Sequence, residues 1–246
     1  MKIFKGLIFG IVIFIGAFAY FTPATIIQKF LPGNISTAGI SGTLWSGNAQ
    51  TIIVDQVGIQ NTKWSANPLS LLTGKIQAVV SIDSPNLKGQ FETSYSGSAV
   101  HIRDLLLKGD LSLLAPYFEK YGLRINGKFD ADFDNFEIEN GIPRQASGTL
   151  QTYNTSILGL LPLNLGDITS VFDQQSQGMR IKLSNLNGDL DLIGVVTIDA
   201  NGSYLVDLTL SRNDQTPEQV LQTVQLLGKK IGEDAVKLTR SGKLGV

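Results

Sequence analysis

The sequence predicts a mainly β protein: an N-terminal transmembrane helix followed by an antiparallel, twisted or curved β-sheet domain with a few short helices. Three observations carry this. One apolar segment, residues 6–21, stands directly behind Lys2 and Lys5. Downstream of Ile35, apolar side chains recur at every second position, which places them on one face of a sheet rather than along a helical stripe. The chain's 26 glycines fall largely between and inside these alternating runs, as reversals and bulges in a sheet require.

Taken as a helix, residues 3–22 would be roughly 30 Å long at about 1.5 Å per residue, enough to cross a bilayer core if Lys5 extends to the headgroups. The basic start favours a cytoplasmic N-terminus and places the rest of the chain beyond the membrane. A cleaved export signal is the rival reading, because Ala17-Phe18-Ala19 resembles a small-residue cleavage site. Against cleavage, Tyr20 and Phe21 continue the apolar run, and Ile26, Ile27, Phe30 and Leu31 follow. The favoured organisation is a cytoplasmic start at 1–5, a single-pass anchor at 6–22, a linker at 23–34 and a β-rich domain at 35–246, periplasmic if the membrane is a bacterial inner membrane. Roughly 215 residues beyond the anchor suffice for one large β-domain or two of about a hundred residues each.

The clearest strand is Leu123-Arg-Ile125-Asn-Gly-Lys-Phe129-Asp-Ala131-Asp-Phe133, where apolar and polar residues alternate around Gly127. Residues 179–183, 190–192, 196–198 and 204–210 repeat the pattern. Asn187-Gly188-Asp189 and Ala200-Asn201-Gly202 between them supply turn chemistry, so the last hundred residues or so read as an antiparallel meander. Earlier strand candidates are 50–60, 75–82, 87–95 and 99–107.

Helical signals are few: 69–72 after Pro68, 111–121 interrupted by Pro116, and a stretch from Thr216. There Thr216-Pro217-Glu218-Gln219 offers an N-cap, a proline at the first helical position and a capping-box partner. Val220, Leu221, Val224 and Leu227 form an apolar stripe whose expected role is docking on the sheet. Ser41-Gly-Thr-Leu44 also recurs as Ser147-Gly-Thr-Leu150. Two related halves, 35–140 and 141–246, account for this repeat, and so does chance in a glycine-rich β chain.

The composition narrows the function. Twenty basic against 21 acidic side chains give a net charge of -1, which provides no bulk field for nucleic acid. Without cysteine there are no disulfides, thiolate metal sites or cysteine nucleophiles. His101 is the single histidine, and no serine-nucleophile or phosphate-loop motif accompanies it, so an ordinary strand residue is the better reading. Asp130, Asp132, Asp134, Glu137 and Glu139 lack the spacing of a calcium loop and read as a solvated strand face. The sequence thus calls for no catalytic residue, metal or cofactor.

Two strings exceed generic β chemistry. Gly42-Thr-Leu-Trp45-Ser-Gly47 and Trp64-Ser-Ala-Asn-Pro68-Leu69-Ser-Leu-Leu-Thr-Gly74 contain both tryptophans, each beside small residues that let a sheet close around an indole. These strings, behind a single N-terminal span, resemble protein N of the bacterial type II (general) secretion pathway. The specific strings cover the first third of the exported region, and the overall architecture matches along the whole chain. That resemblance implies a non-catalytic inner-membrane subunit whose partners are the bilayer and other type II secretion subunits, with Gly42, Trp45, Gly47, Trp64, Pro68, Leu69 and Gly74 as motif or packing positions. The same strings are also similar to AsmA/TamB-like membrane-anchored proteins, which implies as an alternative a groove that binds or transfers lipid.

Mass spectrometry of the protein extracted from native membranes should find residues 1–22 retained. A mature N-terminus at Tyr20 would make the segment a cleaved signal instead.

Overall fold

The computed structural model of the chain describes residues 21–29, 31–159, 162–176 and 178–244. Its strands are β1 (Ile35–Gly42), β2 (Ser46–Val54), β3 (Val57–Asn67), β4 (Ile76–Ser84), β5 (Leu87–Ser96), β6 (Ala99–Asp110), β7 (Arg124–Glu139), β8 (Ile142–Leu158), β9 (Leu163–Gln175), β10 (Gly178–Leu186), β11 (Asp191–Asp199), β12 (Ser203–Ser211), β13 (Lys229–Ile231) and β14 (Ala235–Lys243). All fourteen form one antiparallel sheet. From β1 to β12 each strand lies beside its chain neighbours, and only the end departs: β14 pairs with β12, and the short β13 adds outside it. The predicted anchor lies outside the described residues except for Phe21 and Thr22. Among the described residues no helix is long and apolar enough to cross a membrane.

The antiparallel meander follows the sequence pattern, with two local differences. The stretch 50–60 is two strands, not one, because Asp55-Gln56 forms a two-residue reversal between β2 and β3, with Asp55 at φ 55°. Aspartate tolerates that left-handed conformation, but without a following glycine the turn signal is weak between Ile52-Ile53-Val54 and Val57-Gly-Ile59. Conversely, residues 191–192 and 196–198 belong to one strand, β11, which continues through Gly194, and Leu190 just precedes it. Residues 140 and 141, where the chain was divided into halves, form the turn between β7 and β8. The repeated Ser-Gly-Thr-Leu string lies at a hairpin end in its first copy and in the interior of β8 in its second.

Cross-strand register defines an apolar face. One row runs Leu107, Ala131, Leu150, Ser170, Leu183, Gly194, Leu208 and Leu238 from β6 to β14. Another runs Gly47, Trp64, Val80 and Phe91 from β2 to β5. The opposite face carries ion pairs between neighbouring strands, among them Lys108–Asp130 at 2.7 Å, Lys182–Asp173 at 2.7 Å and Lys237–Asp207 at 2.8 Å.

The apolar face condenses at two places. In the first, Phe133 of β7 and Phe172 of β9 meet edge to face, 4.8 Å apart between ring centres, over Gly148 of β8, which pairs with both. A Cβ on Gly148 would stand 2.3 Å from the Asp132 carbonyl oxygen and 2.9 Å from Phe133 Cγ, and its φ of 152° is strained for any other residue. Ala131, Ala146 and Met179 complete this buried cluster. A register shift between Phe133 and Asn135 kinks the β7–β8 ladder here, as bulges do.

In the second, α2 (Glu218–Leu227) lays Val220 and Val224 on Leu190, Leu210 and the fully buried Val236. Burial of such a side chain contributes about 1.5–3 kcal/mol. This is the predicted docking on the sheet, but the cap differs. Pro217 is the N-cap, without a side-chain cap bond. Thr216 instead accepts a hydrogen bond from Asn213 N at 2.8 Å and donates to Asn213 Oδ1 at 3.1 Å, which spends its hydroxyl on the approach to the helix.

The other helical predictions are met by short turns. A 3-10 helix spans Pro68–Thr73, and another, Leu111–Leu114, leads into α1 (Ala115–Glu119). Pro116 lies in the first turn of α1, where its missing N–H has no intrahelical partner to lose, so it starts the turn rather than breaking it.

Phe133→Ala should destabilise the full chain in detergent by about 3–5 kcal/mol in a urea titration. A double-mutant cycle of Phe133→Ala with Phe172→Ala should return a coupling of about 0.5–1.5 kcal/mol. A coupling near zero would dissolve the pair.

Candidate functional site

The predicted motif residues come together at one end of the sheet. The β1–β2 hairpin closes with Gly42 opposite Gly47, and the reversal runs through Thr43, Leu44 and Trp45. Trp64, opposite Gly47 on β3, lays its indole over that glycine: a Cβ at Gly47 would lie 2.5 Å from Trp64 Cζ2. The indole Nε1 donates to the Leu44 carbonyl at 3.1 Å. Trp45 is buried, and its carbonyl accepts from Ala66 N at 2.6 Å. Gly47 is therefore the room that the Trp64 indole occupies. Residues before the sheet join this corner too, since Leu44 N donates to Thr22 O at 2.9 Å and Pro23 bridges to Thr43.

Pro68, Leu69 and Gly74 belong to the adjoining turn. Asn67 Oδ1 accepts from Leu69 N at 3.0 Å, and Ser70 Oγ donates to Asn67 O at 2.6 Å. The buried Ser70 hydroxyl in turn accepts from Gln77 N at 3.2 Å, and Gly74 closes the turn with its N–H to Leu71 O at 3.0 Å. Polar groups thus hold the turn, while its leucines stand out: Leu69 is 70% exposed, Leu71 48% and Leu72 85%. The sequence string 64–74 contains all three leucines, although only Leu69 is singled out there as a motif or packing position. Their signal was three leucines in four positions after a proline, with no strand alternation to bury them.

The titratable candidates occupy the polar face. His101 Nδ1 lies 3.4 Å from Glu137 Oε2, partly exposed between neighbouring strands. Arg144 meets Glu139 at 3.2 Å and Lys108 meets Asp130 at 2.7 Å, whereas Asp132 and Asp134 are exposed. The hydrogen bond that Lys108 Nζ donates to Asp130, reinforced by the carboxylate's charge, raises the Lys108 pKa above the ordinary lysine value. Tyr117 is likewise raised, chiefly because its hydroxyl donates to Asp55. Among the described residues no three acidic or histidine side chains gather as a metal site would require. A depression of about 660 Å³ at the opposite end of the sheet, between the 121–124 segment, Leu158 and Thr223 of α2, brings together two hydroxyls and a guanidinium but no acid–base pair.

The two edges of the sheet differ. Beside β1 packs a 3-10 helix, Ala24–Lys29, in the stretch read as a linker; Gln28 Nε2 donates to both Thr37 O and Thr37 Oγ1 at 3.3 Å, and Ala24 is fully buried. On the far side, β13 covers β14 only at Ala235, Val236 and Lys237. From Leu238 to Lys243, β14 pairs with β12 on its inner side and with no described strand on its outer side.

Residues 33–239 match the family described as type II secretion system (T2SS), protein N. The chain belongs to the type II secretion system protein N family. It is similar to the "Type II secretion system protein N" of Aeromonas hydrophila, with 25% identity over 246 residues covering 95% of this chain and 96% of the relative. No solved structure matches the chain. The protein N match takes in the tryptophan corner, the exposed leucines and most of β14, so the strings at 42–47 and 64–74 mark a family that spans nearly the whole sheet.

Trp64→Ala should cost about 3–5 kcal/mol of stability, whereas Trp64→Phe, which keeps a smaller aromatic ring and loses the bond to Leu44 O, should cost about 1–2 kcal/mol. A Trp64→Phe loss near zero would remove the hydrogen bond from this account, and a loss equal to that of Trp64→Ala would remove the packing of the ring on Gly47. Lysine titration by NMR should find Lys108 above the ordinary lysine value, and Asp130→Asn should bring it down. Because the folded value is raised, the stability it contributes is complete below the ordinary lysine pKa and fades as pH climbs through the raised one.

Proposed function

We propose that this chain is a non-catalytic subunit of the type II secretion system, tethered in the bacterial inner membrane by residues 6–22 with its N-terminus cytoplasmic. In this reading its periplasmic sheet is a docking scaffold for other subunits of the machine. Family membership and the relative's name support the system; the outer edge of β14 is the observation that supports the mode of action. An extended segment of a partner added there gains backbone hydrogen bonds without any catalytic group. Arg240 and Lys243 are exposed along it, and Lys229 and Lys230 stand on β13 beside it, which guards against pairing with a second copy of the same edge and favours a partner strand bearing carboxylates.

Photo-crosslinkers at Thr239 and Ser241 in native membranes should capture another secretion subunit, and Arg240→Glu combined with Lys243→Glu should weaken that capture and lower release of exported proteins at unchanged protein level. Capture of lipid alone, or normal secretion with a leaky outer membrane after gene deletion, would favour the lipid-groove alternative, which the family matches do not support.

A further inference from the structure

We infer that the Pro68–Thr73 turn is a second membrane contact, in which Leu69, Leu71 and Leu72 enter the interface of the bilayer that the N-terminal segment crosses. The inference rests on the reading of residues 6–22 as an anchor. Polar groups hold the turn, through Asn67, Ser70 and Gly74, while Leu69 is 70% and Leu72 85% exposed and neither belongs to the two buried clusters.

Their position supplies the reason. The chain arrives from the apolar segment at Thr22, whose carbonyl receives Leu44 N at the β1–β2 hairpin end. The leucine turn begins just beyond Ala66, whose N–H is bonded to Trp45 in that same hairpin end. Two strand steps at about 4.8 Å each put the turn roughly 10 Å from the point of entry. Phe21, 70% exposed, stands at the same end. A tether that short holds this end of the sheet at the membrane surface, within the ~5–10 Å depth that interfacial apolar groups occupy.

The chemistry around the turn fits a lipid surface. Lys75 follows directly and is exposed, placed for anionic headgroups, with the half-exposed Ile76 beside it. The other described hairpin ends on this side are polar, Gly97-Ser98, Asn140-Gly141 and Ala200-Asn201-Gly202, so the leucines single out the corner next to the tether. Two contacts fix orientation where one leaves the domain free to swing: the tether sets height, and the leucines set tilt.

The absence of cysteine makes a direct test practical. Full-length Leu72→Cys, Asn86→Cys and Ile13→Cys proteins, each labelled with an environment-sensitive fluorophore, are reconstituted in phosphatidylethanolamine–phosphatidylglycerol vesicles carrying nitroxide lipids. Circular dichroism verifies that each variant keeps the sheet. The Leu72 label should shift to the blue and be quenched more by nitroxides near the headgroups than by deep ones, while the Asn86 label, at the opposite end of the sheet, stays water-like and unquenched. An unquenched Leu72 label overturns the inference, and a blue shift without lipid quenching does so too, by assigning the turn to a contact between copies of the chain. The Ile13 label separates the two readings. If it is quenched by deep nitroxides while Leu72 is not, the anchor stands and this contact alone fails; if Leu72 is quenched and Ile13 is not, the contact stands without the anchor.

Discussion

A single sheet has no second layer on which to bury its apolar face, so the side chains of that face must cover one another. This constraint explains the mixture of large and small residues along the rows. Phe133 and Phe172 close over Gly148, Trp64 closes over Gly47, and Ala131 and Ala146 give Met179 room to reach the same cluster. A β-sandwich would spread this burial over two facing sheets. Here each large ring needs a small neighbour one strand away, and a substitution that fills such a gap is as damaging as one that empties it. Where lateral cover runs out, α2 supplies it, with Val220 and Val224 closing the apolar face at Val236.

Much of the fold was legible because the strand period is strict wherever one face is wet. Leu123 to Phe133 and Tyr204 to Leu210 alternate almost without error and are strands. β8 was not legible, for the reason just given: its apolar-face positions include Ala146 and Gly148, chosen to be covered by their neighbours' rings, so the strand that lies under the core carries little hydrophobic signal of its own. The Asp55 turn was hidden by the aliphatic residues on either side. Thr216 was read as a cap from local spacing, whereas Asn213, three positions earlier, had already claimed its hydroxyl.

The candidate site was legible in part. The two tryptophan strings identified the corner and the family, because an indole pressed on backbone needs glycine at a fixed place and leaves a recognisable string. The edges left no such string. Whether an outer row of N–H and C=O groups is covered depends on strand order, and the order at the end, with β14 between β12 and β13, has no counterpart in local pattern. Gln28, which covers β1, is likewise an unremarkable residue until the sheet places Thr37 beside it.

The meander has a temporal side. Because spatial order equals chain order from β1 to β12, each new strand finds its partner already in place as the chain advances, and no loop need wait for a distant segment. A chain delivered from its N-terminus can therefore zip up strand by strand, starting from β1. The exception lies at β13: among the described strands it pairs only with β14, so β14 must arrive to seat the strand before it. Until it does, β12 is the growing margin of the sheet, and its arrival moves that margin outward to β14 and seats β13 on part of it.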